Sequence, residues 1–408
     1  MEFNVIPGGV TAASGFKAAG VHAGIKKSNK DKPDVAVIYS DVPARVGGVF
    51  TQNRIKAAPV LLSQKVVVGG LAQGVVANSG NANACTGLEG EETAALMALW
   101  MAEELGIDEK QVIVSSTGVI GHQLPRDIVK MGIKKACAHL SQEGGHDAAL
   151  AIMTTDLFPK EIAVRARIGD ALISVGGMCK GSGMIHPNMA TMLAFITTDA
   201  NVDADVLQQA LKNAVDKSFN MITVDGDTST NDMAVILANG KAGNPVIDGN
   251  SPLLNEFQEV LDYVCMGLAK MLAKDGEGAS KFLEVQVKNA LSVKDARAAA
   301  KAVVSSSLVK SAIFGEDANW GRILCAVGYS GAEIDPKTVE IWLESAAGRE
   351  KVAELGTGLE FSEENAKKIL REKEIKVRID LHQGEEEATA WGCDLTYDYV
   401  KINADYRT

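Results

Sequence analysis

The stretch CKGSGMIHPNMATMLAF, residues 179–195, joins a glycine-rich run to an apolar run near the middle of the 408-residue chain. The apolar run that begins at Met192 predicts a short buried strand. Thr191 stands directly before it. On the local pattern alone, Thr191 is an ordinary strand threonine; the alternative is a nucleophile held where a loop meets a buried strand.

The periodicity of apolar residues predicts the fold class. Apolar and polar residues alternate in three stretches, which predict strands with one solvated face at residues 162–168, 283–287 and 375–381. An apolar stripe over residues 206–215 predicts an amphipathic helix, and a second helix is predicted from about residue 91 to Leu105, ended by Gly106. Strands and helices interleave without the regular alternation of a parallel sheet. We therefore predict an α+β fold with layers of largely antiparallel sheet.

Two further local patterns give predictions about connections. Gly384, among charged residues between two strand-like runs, predicts a hairpin turn. Ser330, in the stretch GYSGA, follows an apolar run at residues 323–327 that we interpret as a strand, which resembles the nucleophile elbow of α/β-hydrolases. The elbow requires a helix immediately afterwards, and Pro336 interrupts one too early. Ser330 is therefore a weak candidate.

Composition narrows the class of protein. The formal net charge is −11 and no basic cluster is present, which argues against a nucleic-acid partner. No segment approaches the roughly 18–20 uninterrupted apolar residues of a membrane span, and residues 1–20 lack the basic start and apolar core of a signal peptide. We expect a cytoplasmic protein without a membrane partner. Six widely spaced cysteines without a C-x-x-C pair indicate reduced core thiols.

Known cofactor patterns fail on the glycine-rich and acidic stretches. Ser182 stands where a phosphate-binding loop needs lysine, and His186 replaces the third glycine of a dinucleotide fingerprint. The acidic stretch DGDTSTND, residues 225–232, begins like a calcium loop, but Thr230 and Ile236 occupy the positions of its glycine and its final glutamate. We expect neither a metal nor a cofactor.

The histidines suggest which base an acyl transfer would use. The six histidines form no H-E-x-x-H motif and no pair with a plausible serine or cysteine, so acyl chemistry needs another base. A free α-amino group, with a pKa of about 7.7–8.0, can activate a threonine hydroxyl. Cleavage between Ala190 and Thr191 would create that amine, and the small Ala190 would let the hydroxyl reach the preceding carbonyl carbon.

Five motifs read together resemble a known family. They are NSGNANACTG at residues 78–87, STGVIG at 116–121, MTTD at 153–156, the run at 180–195, and DGEGA at 275–279. In this order they closely resemble the ornithine acetyltransferase family, the glutamate N-acetyltransferases of arginine biosynthesis. The likeness extends from VTAASGFKAAG near the N-terminus to the C-terminal NADYRT.

The resemblance implies a fold, a processing event and a reaction. The fold would be an α-β-β-α sandwich of the self-cleaving N-terminal-nucleophile type. Cleavage would give an α chain, residues 1–190, and a β chain, residues 191–408, which build the catalytic fold jointly and assemble as a heterotetramer of two α and two β chains. Thr191 would take the acetyl group from N2-acetyl-L-ornithine, release ornithine, and pass the acetyl group to L-glutamate.

The resemblance also implies roles for particular residues. Thr191 matches the nucleophile, and Thr117 with Gly118 match the pair that stabilises the oxyanion; locally, these two predict a simple glycine turn. Lys180 would hold a substrate carboxylate and Glu277 an ammonium group. The implied substrate contacts are Thr154, Lys180, Thr191, Glu277, Asn403 and Thr408, with Thr155 as the alternative to Thr154.

Two other functions stay open at this point. A hydrolase of the same fold, an amidase or aminopeptidase, would pass the acyl group from Thr191 to water. A binding protein would use the glycine loops only structurally. Acetyl-CoA as a second donor is also left open, because no nucleotide-binding signature bears on it.

Overall fold

A computed structural model describes residues 3–26, 32–186 and 192–405. Ala190, Thr191 and Thr408 lie outside the described residues. The strands in the described part are β1 (Phe3–Ile6), β2 (Phe16–Val21), β3 (Val35–Phe50), β4 (Leu71–Asn81), β5 (Val112–Val119), β6 (Lys160–Ile168), β7 (Ala171–Lys180), β8 (Leu193–Thr198), β9 (Met233–Ala238), β10 (Phe282–Ala290), β11 (Glu340–Ser345), β12 (Gly348–Glu354), β13 (Thr357–Gly358), β14 (Glu374–Asp380) and β15 (Glu386–Cys393). The helices are α1 (Ala58–Val68), α2 (Gly87–Leu105), α3 (Arg126–Ala138), α4 (Gly145–Ile152), α5 (Ala204–Lys217), α6 (Leu254–Lys274), α7 (Val293–Ser305), α8 (Ser307–Phe314), α9 (Trp320–Gly328), α10 (Glu363–Leu370) and α11 (Tyr397–Asp405).

The long strand β3 connects two layers of sheet. Its first half pairs with β2 and β4, and its second half, from Arg45 to Phe50, pairs with β9. The register with β4 is irregular between Tyr39 and Ala44, where a strand can change direction. One hydrogen-bonded sheet, in the order β1-β6-β7-β8-β9-β3-β4-β5, therefore folds into two layers.

The two layers pack face to face. Phe16, Ile38 and Ile113 of one layer share a hydrophobic cluster with Phe195 and Val235 of the other. Because successive side chains of a strand point to opposite faces, the alternate residues face outward. Those of β4 and β5 pack with α2 and α3, and those of β8 and β9 pack with α5 and α6. This arrangement confirms the predicted α-β-β-α sandwich and its largely antiparallel sheets.

A second sheet extends the core beyond α6. Its order is β13-β12-β11-β14-β10-β15, and its buried face belongs to the same hydrophobic cluster as α5, α6 and α7. The hairpin predicted at Gly384 is wrong, because β10 lies between β14 and β15 and pairs with both. The two strands that flank Gly384 are consecutive in the sequence, but β10 separates them in the sheet.

The remaining local predictions are mostly confirmed. The three alternating stretches lie in β6, β10 and β14, and the strand after Thr191 is β8. Helix α5 begins at an Asp203 side chain that accepts a hydrogen bond from the Asp205 N–H, and α2 ends at Gly106 with φ +66°. The strand predicted at residues 323–327 is wrong: these residues form α9, so Ser330 does not follow a strand.

The cysteines are all unpaired. Cys179, Cys265 and Cys393 are buried as predicted, but Cys85 and Cys325 are exposed, so the prediction of core thiols is wrong for these two. Among the residues that the structure describes, no helix is long and apolar enough to cross a membrane.

Candidate active site

The predicted site residues that the structure describes come together around one cavity of about 320 Å³, called here the site cavity. They come from distant parts of the chain and include both Thr154 and Thr155, so the choice between these two stays open. Met192 and Leu193, which follow Thr191 in the chain, also line the cavity. The predicted residues at the cavity wall are Thr117, Gly118, Thr154, Lys180, Glu277 and Asn403.

Thr117 and Gly118 lie at the end of β5. They pair with Ser79 and Gly80 of the parallel strand β4, so the predicted turn is wrong and the pair belongs to a strand. Gly118 has φ +133°, and a Cβ atom on it would lie 2.4 Å from the carbonyl carbon of Gly80. Only glycine fits this backbone, and both Thr117 and Gly118 line the cavity.

The Asn231 side chain stabilises this end of β5 through hydrogen bonds to the backbone. Its Nδ2 donates to the backbone oxygens of Ala82, at 2.6 Å, and Ser116, at 2.8 Å. The Ser116 hydroxyl in turn donates to Asn78 Oδ1 at 2.6 Å. Asn231 and Asp232 both line the cavity, but in the sequence their stretch matched only an incomplete calcium-loop pattern, because no spacing rule marks an amide that contacts a distant strand.

Lys180 supplies the cation of the site. It ends β7 opposite Leu193 of β8, so the antiparallel pairing places it next to the segment that follows Thr191. The side chain is buried, and its Nζ donates to Thr117 Oγ1 at 3.3 Å. A desolvated ammonium group at this position can bind a carboxylate more strongly than it could in water.

A buried charge triad of Lys160, Asp156 and Asp275 stabilises the backbone around the site cavity. Lys160 is completely buried and its Nζ donates to Asp156, at 2.6 Å, and to Asp275, at 2.5 Å. Asp156 also accepts from the N–H groups of Thr154, at 2.9 Å, and Gly181, at 2.7 Å. These bonds hold the backbone on both sides of the cavity, a role that sequence spacing did not reveal.

The triad carries strongly perturbed pKa values. Burial alone would raise the pKa of Asp156, but the ammonium groups of Lys180 and Lys160 outweigh it and hold that pKa well below its usual value. Burial would lower the pKa of Lys160, and the two carboxylates raise it instead. Asp156 and Lys160 are therefore charged at neutral pH.

Glu277 and Asn403 form the acidic side of the cavity. The Nδ2 of Asn403, on α11, donates to Glu277 Oε2 at 2.9 Å. The backbone N–H of Glu277 donates to the oxygen of Ser182 at 2.9 Å. A Cβ on Gly183 would lie 2.3 Å from Glu277 Oε2, so a side chain at this position would displace the Glu277 carboxylate. This carboxylate faces the cavity and can bind an ammonium group.

Asp232 lines the cavity although no sequence pattern marks it as a functional residue. It is 2% exposed. The Met192 N–H and Ser229 donate hydrogen bonds to its carboxyl group, while Oδ2 has no partner in the described part of the chain. Burial raises the pKa of Asp232 well above its usual value, although Lys180 acts in the opposite direction.

Among the described residues, the cavity wall thus offers the Thr117 hydroxyl, the Lys180 ammonium group and the carboxyl groups of Asp232 and Glu277. None of the six histidines lines it. The described residues contain no group of three potential metal ligands, and the expectation of no metal or cofactor stays a prediction. Donors for an oxyanion beside groups of both charges suit acyl transfer between zwitterionic molecules.

An α-β-β-α sandwich with a polar cavity beside the start of a buried strand is the architecture of enzymes with the N-terminal-nucleophile fold. The sequence matches the profile of the ArgJ family over residues 17–408, and the chain belongs to this family. The arginine biosynthesis bifunctional protein ArgJ of Symbiobacterium thermophilum is 58% identical over 403 residues, which cover 99% of each chain.

Solved structures of relatives match about half of the chain. A crystal structure of the arginine biosynthesis bifunctional protein ArgJ from Bacillus halodurans is 47% identical, with a TM-score of 0.50, and covers 53% of this chain and 100% of the solved one. The ornithine acetyltransferase of Mycobacterium tuberculosis, solved as a complex with ornithine, is 41% identical, with a TM-score of 0.44, over 46% of this chain and 100% of the solved one.

Proposed function

We propose that this protein transfers an acetyl group from N2-acetyl-L-ornithine to L-glutamate through an ester on Thr191, as a step of arginine biosynthesis. In the first half-reaction, the Thr191 oxygen bonds to the acetyl carbon, the amide C–N bond breaks, and ornithine leaves with the hydroxyl proton. In the second, the glutamate amine attacks the ester and Thr191 recovers its proton. The observation that carries the proposal is the convergence of six predicted residues on one cavity.

The cavity residues stabilise the charge that develops during the reaction and bind the charged groups of the substrates. The Thr117 hydroxyl and the Gly118 N–H stabilise the negative oxygen of each tetrahedral intermediate. Lys180 binds the substrate carboxylate, and Glu277, oriented by Asn403, binds an ammonium group. Both substrates carry a carboxylate, and the two half-reactions can therefore share one binding mode.

We further propose that the bond between Ala190 and Thr191 is cut, that Thr191 thereby gains a free amine, and that two α and two β chains assemble. A cut there divides 408 residues into 190 and 218, or 47% and 53% of the chain. The full-length curated relative matches 99% of the chain, whereas the solved Bacillus halodurans chain is covered completely by 53% of it. This share is what a separate β chain would give, and it supports the cut.

Acetyl transfer is distinguished from hydrolysis by the fate of the acetyl group. The purified protein is incubated with N2-acetyl-L-ornithine, with and without glutamate, and the products are separated. We expect N-acetylglutamate only with glutamate, and little acetate without it. Acetate released at the same rate in both reactions would contradict the proposal and indicate an amidase. The amidase alternative is not favoured, because the full-length relative is named for arginine biosynthesis.

The same assay also tests a second acetyl donor. Replacing N2-acetyl-L-ornithine by acetyl-CoA tests whether the protein also starts the acetyl cycle, which the word "bifunctional" in the relatives' names supports. The assay is run under reducing conditions, since we place the reaction in the cytoplasm, in line with six unpaired cysteines.

A further inference from the structure

Self-cleavage needs a base that differs from the base of acetyl transfer. This inference rests on the proposed cut before Thr191. Before the cut, the Thr191 nitrogen is part of an amide and cannot accept a proton, so the free amine that serves acetyl transfer does not yet exist. No histidine lines the site cavity. Among the residues described at its wall, the side chains with a carboxyl group that can act as a base are Glu277 and Asp232.

The two carboxyl groups have different surroundings. Glu277 is partly exposed and accepts a hydrogen bond from Asn403. Asp232 is 2% exposed, and its Oδ2 lacks a partner among the described residues. The Met192 N–H donates to the same carboxyl group. That N–H belongs to the peptide bond that joins Thr191 to Met192, so the Asp232 carboxyl lies against the backbone next to the cut.

We propose that Asp232 is the proton-transfer residue of the self-cleavage. The Asp232 carboxylate takes the proton of the Thr191 hydroxyl while Oγ1 bonds to the carbonyl carbon of Ala190. It then gives this proton to the Thr191 nitrogen as the C–N bond breaks, which leaves an ester and a free amine. Water hydrolyses the ester to the Ala190 carboxylate and restores the Thr191 hydroxyl. Asp232 ends the sequence as it began.

The burial of Asp232 is consistent with a role in proton transfer. A buried carboxyl group with an unpartnered oxygen costs stability when it is ionised. The same burial raises the Asp232 pKa above its usual value, and a carboxyl group with a raised pKa holds a proton more readily during the transfer. Among the described residues, the charged groups that line the cavity with Asp232 are Lys180 and Glu277, and the Lys180 ammonium group acts to lower the Asp232 pKa, which favours the carboxylate form.

The test compares two buried aspartates. Asp232→Asn keeps the size of the side chain and an acceptor for the Met192 N–H, but cannot take a proton. The matched control is Asp199→Asn, because Asp199 is 4% exposed, has a raised pKa through burial, and does not line the cavity. Both Asp199 oxygens accept backbone hydrogen bonds, from Ser14 and Ser174. Full-length wild type and Thr191→Ala are expressed in parallel.

Intact mass over time measures the uncut fraction, and thermal melting measures folding. We expect Asp232→Asn to fold and to be cut at least ~100-fold more slowly than wild type, since a proton-transfer group contributes about 10²–10⁴-fold, while Asp199→Asn is cut normally. Added formate should restore cutting in Asp232→Ala, and should not affect Thr191→Ala.

The outcomes separate the two proposals. Cutting of Asp232→Asn at the wild-type rate overturns the role of Asp232 and leaves the proposed function intact. Misfolding of Asp232→Asn beside a folded Asp199→Asn, or an uncut Asp232→Ala that formate does not rescue, also overturns it, because both results assign a structural role. An uncut but active wild type contradicts the proposed function itself.

Discussion

Replacing Lys160 by methionine tests the buried charge triad below the site cavity. Methionine retains most of the length and volume of the lysine side chain but removes the ammonium group. Lys160, Asp156 and Asp275 all have completely buried side chains, so the change leaves two carboxylates without their cation. Removing one partner of a buried ion pair typically costs about 3–5 kcal/mol.

The expected loss is measurable by thermal melting. With an unfolding entropy of about 2.1 cal/mol/K per residue, a loss of 3–5 kcal/mol lowers the melting temperature by roughly 3–6 °C for a chain of this length. Lys310→Met is the matched control. Lys310 is 3% exposed, but its Nζ donates to the carbonyl oxygen of Val224 at 2.6 Å. Its loss therefore leaves a neutral acceptor, and not a buried carboxylate, without its partner. We expect a smaller shift for this control.

Activity should respond in the same direction. Asp156 also accepts hydrogen bonds from the N–H groups of Thr154 and Gly181, so the loss of its hydrogen-bonded cation should displace the cavity wall and reduce acetyl transfer in Lys160→Met, even though Lys180 still acts on Asp156. A melting temperature within about 1 °C of wild type would refute the reasoning, because a cost of 3–5 kcal/mol cannot be hidden in so small a shift.

Further variants test single contacts. Thr117→Val should lower kcat by about 10²–10³-fold through the loss of one oxyanion donor, whereas Thr117→Ser, which keeps the hydroxyl, should stay near wild type. Gly118→Ala should lose more activity than Thr117→Ser, since its Cβ would meet backbone at 2.4 Å; equal kinetics would contradict the fit. Glu277→Gln should raise KM for N2-acetyl-L-ornithine by about tenfold or more through a lost charge-assisted bond, and Asn403→Ala by less. Because the folded-state pKa of Asp232 is raised, wild type should lose stability relative to Asp232→Asn as the pH rises above about 4; melting curves from pH 5 to 8 check the sign.

The sequence predicted the elements with clear periodicity. Strands β6, β10 and β14 and helix α5 expose one face to solvent, so their polar and apolar residues alternate with the period of the element. The run at residues 323–327 is apolar throughout although Cys325 is exposed, so its residue types show no such contrast, and it was mistaken for a strand although it lies in α9. Pairing partners were also hidden, because β10 inserts between β14 and β15 from about 90 residues away in sequence.

The motifs predicted the residues at the cavity wall, but they did not predict the buried residues that hold this wall in place. Thr117, Gly118, Lys180 and Glu277 lie in stretches that resemble a family, and the structure brings them to one cavity. Asn231, Asp232 and the Lys160 triad depend on burial and on contacts between distant segments, such as the 115 residues between Lys160 and Asp275. Neither burial nor contacts between distant segments produce a recognisable pattern of residue spacing in the sequence.

The central claim is that Thr191 becomes an N-terminal nucleophile that carries the acetyl group. Intact mass spectrometry of the purified protein, before and after N2-acetyl-L-ornithine is added without glutamate, tests it most directly. The account predicts two chains, the larger beginning at Thr191, and an acetyl group on Thr191 that disappears when glutamate is added. A single uncut chain of 43.0 kDa that still transfers acetyl, or an acetyl group on another residue, would contradict it.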